Sequence, residues 1–222
     1  MTGLSRKDTA KSRLNIAWTD TIADGEKQLD VKSILQELRG NDPRPLLVLR
    51  ESSGDKKLAR LLDRVFKNEK FQLVTQFYNC VKLSKDVADQ AHPYAKLFGG
   101  KNSPHIVLAS WDGTKIKKRL VTSKGKLDWK DVVGVLKVDY KKSADKAVKE
   151  LSKLLNTFDT LDAARLNLRA QITRAEAKGQ TGKLKGLKAK MAKVDKAFEA
   201  AFTKEQKAKD LGLRRAIVKA GD

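Results

Sequence analysis

The sequence predicts an α/β domain followed by an antiparallel α-helical coiled-coil hairpin. In the first part of the chain, short apolar runs typical of strands alternate with segments of helical periodicity. All four prolines and all three tryptophans lie before residue 140, whereas the remainder is rich in alanine, lysine and leucine. We therefore expect a domain boundary near residues 140–145. The expected segments are a basic extension over 1–13, the α/β domain over 14–140, the hairpin over 141–210 and a basic tail over 211–222.

The first elements of the α/β domain are predicted as strand, helix and strand. A strand over Leu14–Trp18 opens the domain, and a helix over Asp30–Leu38 ends in the polar, proline-containing segment that follows. The run Pro45–Leu49 is apolar throughout, which favours a strand buried on both faces of a sheet.

The next three elements continue the alternation. The helix over Ser52–Lys67 has its apolar residues on one face, with Ser52 as N-cap and Asp55 three residues later in a shortened capping box. Phe71–Phe77 is predicted as a strand, and Asp86–Phe98 as a helix that the pair Gly99-Gly100 closes.

A hairpin and a helix complete the α/β domain. Pro104–Ala109 and Lys115–Val121 are predicted as neighbouring strands, because Asp112-Gly113 between them is a common hairpin turn. Asp128–Val138 supplies the last helix. The complete order is βαβαβαββα.

The second part of the chain has the spacing of two packed helices. One arm begins at Leu151, and Arg165 interrupts its apolar positions. The apolar residues of the second arm follow one another at spacings of 3, 4, 3, 4 and 3, which is typical of a coiled coil. They are Leu184, Leu187, Met191, Val194, Phe198 and Ala201. Because Gly179-Gln180-Thr181-Gly182 has two helix-breaking glycines, we expect the chain to reverse there.

The charge of the chain points to acidic partners. The chain has 48 lysines and arginines against 27 aspartates and glutamates, a net charge of +21, and such a surface attracts polyanions. Six lysines around the expected turn have no acidic residue between them, and we call them the tip lysines. They are Lys178, Lys183, Lys185, Lys188, Lys190 and Lys193. The tip lysines are expected to bind a polyanion, the alternative being a solvated face.

The α/β part also resembles the thioredoxin superfamily. The resemblance covers residues 14–138 and depends on the order of the elements and on three local features. These features are a helix directly after the buried Leu46–Leu49 strand, the dipeptide Ser103-Pro104, and the sequence Trp111-Asp112-Gly113-Thr114.

The resemblance implies a fold without its usual redox chemistry. Redox-active members have a C-x-x-C motif at the start of that helix, where this chain has Ser52-Ser53-Gly54-Asp55. Ser52 and Asp55 cannot exchange disulfides, since that reaction needs thiolates. The resemblance further implies a cis bond between Ser103 and Pro104, with Ser103 offering its N–H and C=O to an extended peptide. The alternative is that Pro104 only shapes a turn.

The sequence offers no catalytic or metal-binding constellation. Cys80 is the single cysteine, so it cannot form an internal disulfide, and its apolar neighbours favour a buried thiol. Cys80, His92 and His105 have no recognisable metal-ligand spacing. We therefore expect no catalytic residues, no metal and no cofactor, and we identify no small-molecule substrate.

These observations predict a non-enzymatic, redox-inactive binding or scaffold protein that engages an acidic partner through its basic hairpin. The partner would be an acidic protein surface, a further copy of the chain, or nucleic acid such as ribosomal RNA. The alternatives are a nucleic-acid-associated protein and a thiol enzyme that uses Cys80. Because the sequence has neither a signal peptide nor an apolar stretch long enough to cross a membrane, we expect a cytoplasmic protein without a membrane span.

Overall fold

The computed structural model describes residues 5–21, 27–52, 54–99 and 103–214. The strands in these ranges are β1 (Trp18–Asp20), β2 (Leu46–Arg50), β3 (Asn79–Leu83), β4 (Ile106–Ala109) and β5 (Ile116–Arg119). The helices are α1 (Asp8–Lys11), α2 (Val31–Arg39), α3 (Lys56–Phe66), α4 (Glu69–Thr75), α5 (Ala95–Phe98), α6 (Trp129–Asp139), α7 (Ala144–Ala177) and α8 (Thr181–Lys209). Short 3-10 segments cover Ser12–Leu14 and Lys85–Ala88.

These residues form two structural units. Among the described residues, the sheet unit contains those within 16–146 together with 211–214, and the hairpin unit contains 5–15 together with Ala147–Asp210.

The sheet unit is built on one mixed sheet with the strand order β1-β3-β2-β4-β5. β1 and β2 both run parallel to β3, whereas β4 runs antiparallel to β2 and β5. The apolar strand predicted over Pro45–Leu49 is therefore at the centre of the sheet. Leu46, Leu47 and Val48 are at most 1% exposed, so this strand is buried on both faces as expected. The α/β class of the sheet unit is confirmed.

The two faces of the sheet bury different residues because strand side chains alternate. Val48, Val81 and Val107 belong to a hydrophobic cluster that also includes Ile34 and Leu38 of α2. Helix α6 contacts β4 and β5. Helices thus supply the partners that a strand buried on both faces requires.

Phe71–Thr75 belongs to helix α4, and Gln76 and Phe77 follow its end, so the prediction of Phe71–Phe77 as a strand was wrong. Asn68 caps α4, because its side chain accepts a hydrogen bond from the backbone N–H of Phe71 at 3.1 Å. The strand that pairs with β2 is instead Asn79–Leu83. Alternating and helical apolar patterns overlap in so short a run, and the register of the sheet decides between them.

Two other predicted elements have different bounds. The opening strand is Trp18–Asp20 rather than Leu14–Trp18, since Trp18 pairs with Cys80 of β3. The helix predicted over Asp86–Phe98 is divided into the 3-10 segment and α5, because Pro93 between them has no backbone N–H for a helical hydrogen bond. Gly100, expected to close this helix, lies outside the described residues.

The antiparallel hairpin of the sheet unit is confirmed. β4 and β5 pair from Ile106 with Arg119 to Ala109 with Ile116. Gly113 has a φ of +70°, a left-handed conformation that glycine adopts without a steric cost. The Asp112 carboxylate accepts a hydrogen bond from the backbone N–H of Thr114 at 3.1 Å.

In the hairpin unit, α7 and α8 pack against each other in antiparallel orientation. The rings of Phe158 and Phe198 stack with their centroids 6.1 Å apart. Arg165, which interrupts the apolar spacing of α7, donates to the Asp195 carboxylate at 2.5 Å and lies 4.3 Å from the centroid of the Phe198 ring. An arginine is therefore accommodated beside the apolar contact surface between α7 and α8, which we call the seam.

The segment expected as an N-terminal extension packs onto this helical hairpin. Arg6 pairs with Asp159 at 2.7 Å. The Arg13 guanidinium pairs with Glu205 at 2.8 Å and lies 4.0 Å from the centroid of the Phe158 ring. The Glu205 residue is only 3% exposed, and burial of a carboxylate requires such partners.

The start of the expected C-terminal tail belongs to the sheet unit. The backbone N–H of Lys141 donates to the carbonyl of Gly212 at 2.8 Å, and the N–H of Arg214 donates to the carbonyl of Asp139 at the same distance. Within the described residues, no helix combines the length and the apolar character that crossing a membrane requires.

The N-cap of α3 is Asp55 rather than Ser52. The Asp55 carboxylate accepts hydrogen bonds from the backbone N–H groups of Lys57 and Leu58, both at 2.9 Å. The helix begins at Lys56, so Ser52 lies too far upstream to cap it.

We predict that Asp55→Ala lowers the free energy of unfolding by about 1 kcal/mol, the usual cost of losing an N-cap. Ser52→Ala is the matched control and should change the stability by less than about 0.5 kcal/mol. Urea denaturation followed by circular dichroism measures both values. Equal losses in the two variants would contradict this assignment of the cap.

Candidate functional site

The tip lysines lie at the end of the hairpin where α7 gives way to α8. All six are exposed. Lys188 pairs with Glu176 at 4.0 Å, and no other tip lysine forms an ion pair with a described residue. Unpaired exposed charges of one sign are free to meet an external anion.

The turn at the tip is shorter than predicted. Gly179 has a φ of +63°, and the backbone N–H of Gln180 donates to the Ala175 carbonyl at 3.0 Å, which closes α7. Gly182, predicted to be part of the turn, lies inside α8. The tip lysines from Lys183 to Lys193 are therefore all presented by a helix.

The basic surface continues along α8 beyond the tip lysines, and the sequence analysis missed three exposed lysines of this continuation, Lys196, Lys204 and Lys207. On a helical projection at about 100° per residue, five exposed lysines lie within an arc of about 100° opposite the apolar seam. We call them the outer lysines. They are Lys185, Lys193, Lys196, Lys204 and Lys207. The signal in the sequence is a spacing of 11 residues, from Lys185 to Lys196 to Lys207 and from Lys193 to Lys204, which is close to three helical turns.

The remaining residues of this arc are small. The positions between the outer lysines are filled by glycine, alanine and threonine, and no carboxylate lies in the arc. Asp195 and Glu199 lie on one flank of the helix instead, where Asp195 pairs with Arg165. The arc therefore combines positive charge with close access to the helix backbone.

Ser52 and Asp55 line a cavity of about 450 Å³ in the sheet unit. The other lining residues carry charges of both signs, among them Arg50, Lys85 and Asp86. Burial and the nearby Arg50 guanidinium lower the pKa of His105. Its Nδ1 atom accepts a hydrogen bond from the backbone N–H of Val121 at 3.2 Å, so this nitrogen already has a partner within the chain.

The bond between Ser103 and Pro104 is trans, because the described chain has no cis peptide bond. The expectation of a cis bond was wrong. The trans form is the intrinsically favoured one for X–Pro bonds, by about 0.5–1 kcal/mol. The Arg50 guanidinium donates to the Pro104 carbonyl at 3.1 Å and to the Ser103 carbonyl at 3.4 Å. The Ser103 carbonyl, expected to bind an extended peptide, thus already has a partner within the chain.

Cys80 is buried in β3, with 3% of its surface exposed. Burial raises the pKa of the Cys80 thiol to about 12. At neutral pH only about one thiol in 10⁵ would be ionised at such a pKa, and the thiolate is the reactive form. The geometry therefore offers no nucleophile for a thiol enzyme.

No group of three or more histidine, cysteine, aspartate or glutamate side chains is arranged for a metal ion in the described ranges. Cys80, His92 and His105 are accordingly not brought together.

Comparisons with known proteins found no relative. No family model matches the sequence, and neither the curated proteins nor the solved structures include a match to it.

We predict that Cys80 does not react with a thiol reagent such as DTNB while the chain is folded, because its sulfur is buried and protonated. Labelling should reach one thiol per chain after denaturation in concentrated guanidinium chloride. Labelling of the folded chain as fast as that of the denatured chain would contradict the buried position. Cys80→Ala is the blank for the absorbance measurement.

We also predict that the stability of the chain falls as the pH rises from 9.0, the ordinary pKa of cysteine, toward about 12, its value in the folded state. In this interval the folded chain holds a proton at Cys80 that the unfolded chain has lost, so the free energy of unfolding declines, by at most about 1.4 kcal/mol per pH unit for this group. Burial also raises the pKa of Tyr78, which acts in the same direction. Cys80→Ala should show a shallower decline in urea titrations at several pH values, and an equal slope would contradict the shift.

Proposed function

We propose that this chain is a non-enzymatic binding protein whose basic hairpin engages an acidic partner, and that this partner is the phosphate backbone of nucleic acid. The observation that carries the proposal is the array of outer lysines on α8, all exposed and without an acidic residue in their arc. From Lys185 to Lys207 the array extends over about 33 Å at 1.5 Å per residue. A uniformly charged polymer matches such a repeating array.

The composition of the arc favours nucleic acid over an acidic protein. Protein interfaces usually have aromatic or aliphatic anchors at their centre, whereas the arc contains only lysines and small residues. Binding through lysines to phosphates needs no such anchor, depends on the salt concentration and is largely independent of sequence.

A second candidate function is self-assembly through the hairpin unit. Leu166 is 57% exposed and Phe202 is 43% exposed, and exposed apolar side chains of this size can serve as interface anchors. These residues lie outside the lysine arc, so the two candidates are separable by mutation.

For the sheet unit we propose a thioredoxin-like fold retained as a redox-inactive scaffold. The central position of β2, the helix α3 that follows it and the antiparallel pair β4 and β5 support this proposal. The trans bond before Pro104 removes one of its three local supports. Ser52 and Asp55 in place of two thiols, together with the buried Cys80, support the absence of disulfide exchange.

We predict that changing four outer lysines to glutamine weakens binding to a labelled DNA duplex of about 20 base pairs by at least about tenfold. The variant is Lys185→Gln, Lys193→Gln, Lys196→Gln and Lys204→Gln. Fluorescence anisotropy between about 50 and 200 mM KCl should show the slope of log K against log[KCl] reduced by about 3 to 4, since each phosphate contact contributes about 0.9.

The control variant removes the same number of positive charges, four, from the sheet unit. Its changes are Lys32→Gln, Lys56→Gln, Lys130→Gln and Lys137→Gln, all at exposed positions of the sheet unit. It should keep the parent's salt slope. If both variants lose duplex binding equally, the binding depends on the net charge of the chain rather than on the array of outer lysines. If the variant of the outer lysines binds the duplex like the parent, the proposal fails. The second candidate, self-assembly, is then tested by light scattering, which compares the size of the assembly formed by Leu166→Glu with that formed by the parent.

A further inference from the structure

A second basic region surrounds a cavity of about 350 Å³ in the sheet unit, and we call it the basic cavity. It lies between α3, α4, the loop over residues 124–127 and the start of α6. Its apolar lining consists of the buried residues Val65, Phe71 and Val132 and the half-buried residues Leu127 and Trp129. A cavity above about 300 Å³ with an apolar floor is in the range of small-molecule sites.

The charges that line the basic cavity have one sign. They belong to Arg64, Lys70, Lys124 and Lys126. In the described ranges no ion pair involves Arg64, Lys124 or Lys126. These three cations carry the same charge and repel one another, and a bound anion would relieve that repulsion.

The aromatic wall of the cavity is held in place by a carboxylate behind it. The indole N–H of Trp129 donates to Asp145 at 2.7 Å. The Lys70 ammonium lies 3.8 Å from the centroid of the Trp129 ring and 3.8 Å from the same carboxylate. The ring and the one cation with a carboxylate partner are thus oriented before any ligand arrives, which lowers the entropy cost of binding.

Gly125 holds the lysine-bearing loop against α3. Its φ is +64°, and a Cβ atom at this position would lie 3.0 Å from both the Arg64 Cβ and the Leu61 carbonyl oxygen. Only glycine permits so close an approach. The Thr122 hydroxyl also accepts a hydrogen bond from the backbone N–H of Lys126 at 3.2 Å. The loop therefore keeps Lys124 and Lys126 near Arg64.

We propose that the basic cavity binds a phosphorylated small molecule with a planar ring, of the nucleoside phosphate class. Arg64, Lys124 and Lys126 would bind the phosphate groups, since guanidinium and ammonium groups are the usual partners of phosphate in proteins. The ring would pack on the wall that Trp129 and Leu127 form, as bases do on aromatic and apolar surfaces. The site is independent of the outer lysines on α8.

Isothermal titration of the full chain with ADP tests this proposal, with pyrophosphate and adenosine as the two partial ligands. We expect saturable binding of one ADP per chain, at least about tenfold tighter than that of either partial ligand, because each lacks one half of the recognition. Pyrophosphate binding as tight as ADP binding would overturn the proposal in favour of a simple anion site. Absence of ADP binding would overturn it altogether.

Variants locate the site. The double variant Arg64→Gln with Lys126→Gln should weaken ADP binding at least about tenfold. The matched control is Lys57→Gln with Lys130→Gln, at exposed positions that do not line the cavity. The control should bind ADP as the parent does. Thermal unfolding monitors the fold, and if the double variant is unfolded, Lys124→Gln alone should weaken binding severalfold. Equal losses in the cavity and control variants would overturn the assignment. The cavity variant should retain duplex binding, so this test fails or succeeds separately from that of the outer lysines.

Discussion

The sheet unit depends on one constraint, which is that β2 is buried on both faces and hydrogen-bonded to a neighbouring strand along both edges. β2 pairs with β3 on one side and with β4 on the other, and Leu47 and Val48 have no exposed surface. Its backbone groups are paired with both neighbouring strands, and because its apolar side chains point to both faces of the sheet, both faces need helices to cover them. The covering helices are supplied by the sequence before and after it, which explains why helices and strands alternate along this part of the chain.

The same strand organises the polar region at its C-terminal end. Arg50 is the last residue of β2, and its guanidinium binds the carbonyls of Ser103 and Pro104. The α3 helix begins a few residues later under its Asp55 cap. The chain thus has a capped helix start and carbonyls with partners inside the chain at the C-terminal end of β2.

In the hairpin unit, one apolar seam accounts for both the stability and the surface charge. The seam residues of α8 take up the face toward α7, among them Leu187 and Phe198, which are buried. The lysines between them must then lie on the flanks and on the outer arc. The acidic residues of α8 lie on a flank or, in the case of Glu205, are buried beside Arg13, so none of them lies among the outer lysines.

Positive charge in this chain is therefore placed in two different ways. On α8 it forms a linear array without apolar neighbours, which suits a polymer. Around the basic cavity it surrounds an apolar floor and an oriented indole ring, which suits a compact ligand. Composition alone reports only the net charge of the whole chain, +21.

The sequence by itself determined the α/β class, the buried central strand, the β4–β5 hairpin and the helical pair of the second part, because long periodic patterns and continuous apolar runs leave few alternatives. Tertiary structure alone decided the state of Phe71–Phe77, since its apolar pattern fits a helix or a strand and only the pairing of Asn79–Leu83 with β2 resolves it. It also decided the N-cap of α3, the trans bond before Pro104 and the basic cavity. The last two features involve hydrogen bonds between residues distant in sequence, such as Arg50 with Ser103 and Trp129 with Asp145, and local pattern carries no information about such pairs.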